Sequence, residues 1–389
     1  MSMKLLKQAK DLKNKKVLLR VDFNVPLGID GVVDGSEDWR IKAVLPTIEY
    51  LIKKKSKIIL LTHLGRPEGK IVEEFRIGPV QSRLSDLLGL PVIKTSDCIG
   101  DAVKKIIDGM KSGEIVLLEN LRFHKEEEEN DENFARELAS LGDVYVNDAF
   151  SASHRAHASV SAITKFLPSY AGILLEKEVK VLSDAINSPK KPATIIIGGA
   201  KAETKLPVIK FLMDKFDHIL VGGIVANVIL KAKGIDVGES LLGGIDPKEA
   251  EKIDLKNKKL YIPVDAVICN SKIRRAELSS IGKIGNEKIL DIGPDTEELF
   301  MNIIIDSNMI IWNGPMGKFE NEKFSSGTKK IAEAVGMSKG YSIIGGGDTI
   351  AALDKFGYLD KVDYVSTGGG AMLEFLSGEK LPGLEALDK

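Results

Sequence analysis

The sequence predicts a parallel α/β protein built as two domains, and three observations lead there. Short runs of Val, Ile and Leu alternate with helix-period segments along the whole chain. Those runs are nearly continuous rather than alternating, as strands covered by helices on both faces should be. The length, 389 residues, exceeds what one hydrophobic core usually spans.

In the first half the spacing predicts strands over Val17–Val21, Ile58–Thr62, Ile115–Leu118 and Val144–Asn147. In the second half it predicts Thr194–Ile197, His218–Val221, Leu260–Pro263, Met309–Trp312, Tyr341–Ile344 and Tyr364–Ser366. Between the strands lie amphipathic helices. Ile41, Val44, Leu45, Ile48, Leu51 and Ile52 recur at helical spacing, with Pro46 expected to kink the element. Leu175, Val179, Leu182 and Ile186 form another apolar stripe, and Ser188-Pro189-Lys190-Lys191-Pro192 ends it. That helix and its Pro-rich exit form the expected domain junction. The acidic run Glu126–Glu129 reads as a solvated helix start.

Composition excludes several classes. Hydrophobic residues make up 43% and charged residues 29%, which is a globular profile rather than a disordered one. The apolar runs fall far short of the roughly 20 residues that a membrane span needs. Met1–Lys10 mixes apolar and cationic residues without the apolar block of a secretory signal. Cys98 and Cys269 are the only cysteines, without metal-like spacing, so neither a disulfide framework nor a zinc site is expected. A cytoplasmic address fits these features. A net charge of −1 argues against a nucleic-acid coat, so anions must be held by a local cluster.

Ligands of open parallel sheets bind beyond the carboxyl ends of the strands, and here those ends carry two different chemistries. The first half offers Asp22-Phe23-Asn24, His63-Leu64-Gly65-Arg66, Asn120-Leu121-Arg122 and His154-Arg155-Ala156-His157, with Arg40 at the start of a helix. One arginine after a strand commonly caps a loop. Arg40, Arg66, Arg122 and Arg155 on one face match a small, multiply anionic substrate, because a guanidinium holds phosphate or carboxylate bidentately. His154 and His157 are too few to define a metal site and suit anion contact or core hydrogen bonding.

The second half offers glycines. Gly198-Gly199-Ala200-Lys201, Gly222-Gly223, Asn313-Gly314-Pro315-Met316-Gly317, Gly345-Gly346-Gly347-Asp348-Thr349 and Thr367-Gly368-Gly369-Gly370 each follow a strand. Glycine lets backbone N–H groups approach phosphate, and the helix start behind it favours negative charge. One such turn alone is ordinary strand-to-helix packing. The repeated set, joined by Lys201, Lys205, Glu320 and Asp348, indicates a nucleotide site. No G-x-G-x-x-G occurs, Gly65–Lys70 is one residue short of a P-loop, and no G-x-S-x-G elbow is present.

Taken in order, RVDFNVP at Arg20–Pro26, HLGRP at His63–Pro67, NLRFH at Asn120–His124, NDAF at Asn147–Phe150, HRAHAS at His154–Ser159, GGAK at Gly198–Lys201, WNGPMG at Trp312–Gly317, GGDT at Gly346–Thr349 and STGGGA at Ser366–Ala371 resemble the phosphoglycerate kinases. The resemblance spans essentially the whole chain. It implies two Rossmann-like parallel-sheet domains joined by a hinge helix. The first, over 1–170, would bind the phosphoglycerate; a hinge helix and linker would follow over 171–189. The second, over 190–374, would bind the nucleotide, and the tail 375–389 would return to the first domain.

The resemblance also implies roles. Asp22, Phe23, Asn24, Arg40, His63, Leu64, Gly65, Arg66, Arg122 and Arg155 would hold the phosphoglycerate. Lys205, Gly293, Glu320, Gly346, Gly347, Asp348 and Thr349 would hold ADP or ATP, with Asp348 at Mg²⁺. Arg40, Lys201 and the helix start at Gly369 would neutralise charge on the transferring phosphoryl group, and hinge closure would exclude water. Two stretches depart from the usual pattern: Gly222-Gly223-Ile224 with Asn227, and Ser151-Ala152-Ser153. A monomer is expected, without nucleic-acid or membrane partners. Rival readings are another two-domain carboxylate kinase and a non-catalytic scaffold on the same fold; a scaffold has no need of Arg40, Lys201 and Asp348 together.

Overall fold

The apolar runs become the central strands of two parallel sheets in the computed structural model, which describes residues 3–28, 31–34, 38–269 and 276–388. The first sheet holds β1 (Lys16–Arg20), β2 (Lys57–Leu61), β3 (Val92–Lys94), β4 (Ile115–Leu117), β5 (Val144–Asn147) and β6 (Ser169–Ala171). Its order is β3-β4-β2-β1-β5-β6, parallel throughout. Helices α1 (Trp39–Lys53), α2 (Gly78–Leu88), α3 (Asp101–Asp108), α4 (Lys125–Glu128) and α5 (Glu132–Ala139) connect the strands. Helix α1 runs through Pro46 as one element, burying Ile41, Val44, Ile48 and Leu51. Two apolar layers, one containing Val17, Leu19 and Ile58 and one containing Leu18, Ile59 and Val116, lie on opposite faces of the sheet.

Helix α6 (Ile173–Asn187) follows and stops before the Pro-rich segment, as its sequence predicts. The second parallel sheet contains β7 (Ala193–Ile197), β8 (His218–Val221), β9 (Leu260–Tyr261), β13 (Met309–Asn313), β14 (Tyr341–Gly345) and β15 (Tyr364–Val365), in the order β15-β14-β13-β7-β8-β9. Between β9 and β13 the chain makes a separate antiparallel sheet from β10 (Asp265–Cys269), β11 (Ala276–Ser280) and β12 (Lys288–Ile292), ordered β11-β10-β12. The helices here are α7 (Ala202–Leu212), α8 (Gly223–Ala232), α9 (Pro294–Ile305), α10 (Ser326–Met337), α11 (Gly347–Lys355) and α12 (Gly370–Leu376), with α13 (Pro382–Glu385) closing the chain.

By contact the chain divides into one unit of Met1–Lys180 with Lys380–Lys389 and another of Val181–Glu379. Within the first unit the last residues are firmly seated. Leu381, Leu384 and Leu387 are buried, and Gly383 donates its N–H to the Ser153 carbonyl at 2.8 Å. A side chain on Gly383 would meet the Cα of Ser153 at 2.8 Å, so only glycine lets the tail approach so closely.

In each large sheet the strand order reverses at one place, and a crevice opens there. In the first unit the reversal lies between β1 and β5. In the second it lies between β7 and β13. The polar residues of interest follow those strands.

Candidate active site

In the first unit the crevice begins where β1 ends. Arg20 lies in a strand of apolar neighbours and is completely buried. Its Nε donates to Ser159 Oγ at 2.8 Å, one terminal nitrogen donates to the Val21 carbonyl, and the other lies 3.1 Å from His63 Nδ1. A guanidinium can only donate, so Nδ1 accepts and the His63 proton sits on Nε2. Burial, and the nearby Arg20, Arg122 and His157, push the imidazole well below its ordinary value despite the opposing pull of Asp22. His63 is thus a neutral donor.

Asp22 spans the crevice. Its carboxylate accepts from Arg40, from the Ser151 hydroxyl beyond β5, and from the Asn24 N–H at 3.1 Å. Burial pushes the carboxyl up, but Arg40, the Ser151 hydroxyl and Arg20 together hold it well below the usual carboxylate range. Ser151, where the chain departs from the resembling pattern, therefore orients Asp22. Arg40 also stacks over the Trp39 ring, 4.9 Å from its centroid.

The loop after β2 is joined to the loops after β1 and β4. Asn24 Oδ1 accepts from Gly65 N–H at 2.9 Å, and the Gly65 carbonyl accepts from Arg122 at 2.9 Å. Gly65 adopts φ +64°, and a side chain there would strike the Phe75 ring at 2.5 Å. Asn120 locks the same loops, accepting from Leu64 and Arg122 N–H and donating to the Leu64 and Phe75 carbonyls. Phe23 is buried in the core, its N–H donating to Thr62 Oγ1 at 2.9 Å. Arg66 and Arg155 are exposed, and Arg155 donates to His154 at 3.2 Å. Arg122 is nearly buried, with Nε 3.3 Å from Glu128.

One expectation is corrected. Glu127, in the acidic run read as solvated, is fully buried. It accepts from both the N–H and the hydroxyl of Ser159, at 2.9 and 2.6 Å. Ser159 in turn receives Arg20, so Glu127 anchors the chain of contacts that leads to His63 and Asp22. Burial, with Arg122, Arg20, Arg155 and His154, pushes the neighbouring His157 down to about 3.

In the second unit the crevice holds an ammonium group. Lys205, on α7, is nearly buried, and its Nζ donates to the Gly198 carbonyl at the end of β7. A Cβ on Gly199 would lie 2.9 Å from that Nζ, and one on Gly314 would strike it, so two glycine turns make the cradle. Burial pulls the Lys205 amine down to about 8, with Lys201 lowering it further and Asp348 opposing.

Beside the cradle is a cavity of about 340 Å³. Gly199, Ile224, Asn227, Met316, Glu320 and Asp348 are among its lining residues. Ile224 and Asn227, the other departure, face it together: Asn227 is buried, donates to the Leu241 carbonyl at 3.2 Å and leaves Oδ1 without a hydrogen-bond partner among the described residues. Asp291 also lines the cavity. It accepts from the Gly327 and Ile292 N–H groups at 2.8 and 3.0 Å, while burial drives its carboxyl up to about 8.

The remaining second-unit candidates sit as follows. Lys201 is exposed at the N-cap of α7. Gly346 and Gly347 open α11, with Gly346 at φ +92°. The Thr349 hydroxyl accepts from Gly314 N–H at 2.7 Å and ties the β13 and β14 turns together. Gly369, at φ +52°, caps the start of α12. Gly293 caps α9 against Asp265 rather than among the cavity residues. Arg20, Glu127, Ser159 and Asp291 join the site without having been expected there from the sequence, and Ser151 was expected only as a departure from the pattern. A charge inside an apolar strand was the available sign for Arg20; the others are recognisable only once the loops are folded together.

Comparison with known proteins agrees with these features. The family model described as phosphoglycerate kinase matches residues 6–379. The phosphoglycerate kinase of Pelotomaculum thermopropionicum is 47% identical over 390 residues, covering 97% of each chain. That of Dictyoglomus turgidum is also 47% identical, over 97% of this chain and 96% of its own. Among solved structures, the Coxiella burnetii phosphoglycerate kinase superposes with a TM-score of 0.85 at 40% identity, covering 100% of this chain and 99% of the other. The Pyrococcus horikoshii enzyme gives 0.85 at 35% identity, covering 99% and 98%.

Proposed function

The chain belongs to the phosphoglycerate kinase family, and from that premise we propose which residues carry its reaction. The reaction is the reversible transfer of a phosphoryl group between 1,3-bisphosphoglycerate and ADP, giving 3-phosphoglycerate and ATP, a step of glycolysis. The acceptor in the ATP-consuming direction is a carboxylate, ionised at neutral pH, so no general base is needed. Catalysis is then a matter of in-line positioning and of neutralising charge on the equatorial oxygens.

Arg40, His63, Arg66, Arg122 and Arg155 are the donors for the phosphoglycerate, with Asp22 and Asn24 setting their loops. Asp22 fixes Arg40 in place, and neutral His63 offers a hydrogen bond without adding charge. In the second unit Lys205, Glu320, Gly346, Gly347 and Asp348 surround the nucleotide, with Gly293 and Thr349 supporting it through backbone. Lys201, Arg40 and the α12 start at Gly369 take the developing charge. The observation that carries this division is that each sheet places its chemistry at its own reversal point: the Asp22–Ser151 contact in one, the Lys205 cradle in the other.

Mg²⁺ enters with the nucleotide. Asp348 is an exposed carboxylate lining the cavity close enough to Lys205 to feel its charge, and Mg²⁺ is typically held by one or two carboxylates together with phosphate oxygens. When bound, the ion neutralises phosphate charge. The chain acts as a monomer in the cytoplasm on this reading, since both ligand sets lie on one chain and the step is glycolytic. No helix among the described residues is long and apolar enough to cross a membrane.

The test is ATP turnover with Mg²⁺ and 3-phosphoglycerate, coupled through glyceraldehyde-3-phosphate dehydrogenase to NADH oxidation. Turnover that disappears without 3-phosphoglycerate supports the assignment. ATP binding without such turnover contradicts it.

A further inference from the structure

We propose that Asp97, Cys98 and His124 form a site for a borderline-soft divalent cation of the zinc type, separate from the cation that accompanies the nucleotide. One ligand atom from each residue lies within 4.8 Å of the other two. Asp97 and Cys98 occupy the segment between β3 and α3, and His124 is the N-cap of α4. The Asp97 carboxylate lies 2.7 Å from His124 Nε2 and accepts from Cys98 N–H at 2.6 Å.

The surroundings hold these donors in place. The Asp97 carbonyl accepts from Thr95 Oγ1 at 2.6 Å, and the His124 ring stacks on Phe134 with centroids 5.3 Å apart. Cys98 is completely buried, whereas Asp97 and His124 reach solvent, so an ion can enter over the carboxylate and imidazole and meet the sulfur at the bottom.

The donor set selects the metal. One sulfur, one imidazole nitrogen and one carboxylate oxygen suit zinc, and the hard ions Mg²⁺ and Ca²⁺ prefer oxygen alone. Zinc bonds of about 2.0–2.3 Å place tetrahedral ligands roughly 3.3–3.8 Å apart. The cluster reaches that spacing when the Asp97–His124 pair opens slightly and the sulfur closes in. Binding releases the Cys98 thiol proton, and the imidazole proton moves from Nε2 to Nδ1, leaving Nε2 for the metal. The bound ion would clamp His124, two residues beyond Arg122, to the segment before α3.

The experiment is a titration of Co²⁺ into the reduced, metal-stripped full chain, followed by thiolate-to-cobalt charge-transfer and tetrahedral ligand-field absorption. Saturation at one equivalent is expected, with loss of the bands on adding Zn²⁺ and persistence in excess Mg²⁺. Cys98→Ser should lose the charge-transfer band, Cys269→Ser should keep it, and His124→Ala should require more cobalt to saturate. Absence of a saturable band in the unaltered chain overturns the proposal without reference to any variant. So does a band that survives Cys98→Ser or disappears in Cys269→Ser, with circular dichroism confirming that each variant is folded.

Discussion

Arg20 and Lys205 are both cations enclosed at a strand end, and their surroundings give them opposite tasks. Arg20 engages Ser159, Val21 and His63, one through each of its three nitrogens, so it orients other groups. The Lys205 ammonium gives one of its three N–H groups to the Gly198 carbonyl, so it retains capacity for a phosphate while it is protonated. In the absence of ligand its ammonium is lost as pH rises through about 8. Affinity for ADP measured by calorimetry should therefore weaken above that pH, and Lys205→Met should bind weakly with no such dependence. The stability effect runs the other way. Between about 8 and 10.5 the unfolded chain holds a proton that the folded chain does not, so this group's contribution grows with pH there and is lost as pH falls through about 8. For Lys201→Ala, kcat should fall roughly 10³-fold or more, by analogy with other charge-neutralising groups in phosphoryl transfer. Near-normal turnover would remove Lys201 from the mechanism. Arg66→Ala should raise KM for 3-phosphoglycerate and leave ATP affinity unchanged; equal weakening of both ligands would contradict the separation of roles. Arg66, Arg122 and Arg155 were legible because their loops follow apolar runs, and Arg40 because it opens an amphipathic helix. Glu127 was not, because its burial depends on Ser159, which is 32 residues away in the chain.

At the scale of elements, long continuous runs such as Ala193–Ile197 and Met309–Asn313 announced themselves, since a strand covered on both faces cannot hide its apolar character. The short strands Val92–Lys94 and Ser169–Ala171 carry too few residues for a pattern, and the strands β10–β12 are largely half-buried, so they lack the continuous apolar run of a strand covered on both faces. Asp148 shows how elements are fastened. At the end of β5 it accepts from Leu175 N–H at 3.0 Å, joining the strand to the first turn of α6. Burial pushes its carboxyl up to about 7, against hydrogen bonds from Thr47, Leu175 and Leu174. A folded value above the unfolded 3.8 means that its contribution is complete below 3.8 and is lost as pH rises through about 7. Asn mimics the protonated acid. The Tm of Asp148→Asn relative to the unaltered chain should therefore improve between pH 5 and pH 8. A relative Tm that declines over that interval would show that the fold prefers the carboxylate charged.

For the whole molecule, each unit has its own sheet, its own crevice and its own proposed ligand. Hydrogen exchange should report this division. With 3-phosphoglycerate alone, protection is expected around residues 22–24, 63–66 and 120–124; with ADP and Mg²⁺ alone, around 198–205 and 345–349. Protection of the second set by 3-phosphoglycerate alone would reverse the assignment. The seating of Gly383 on Ser153 carries a consequence for biogenesis. Translation runs from the amino terminus, and early domains commonly fold while later ones are still being made. Here the unit made first takes a closing helix from residues made only after the second unit. A nascent chain that has just finished its first sheet still exposes the apolar seat of Leu381, Leu384 and Leu387, and the ribosome must deliver the entire second unit before that seat is filled.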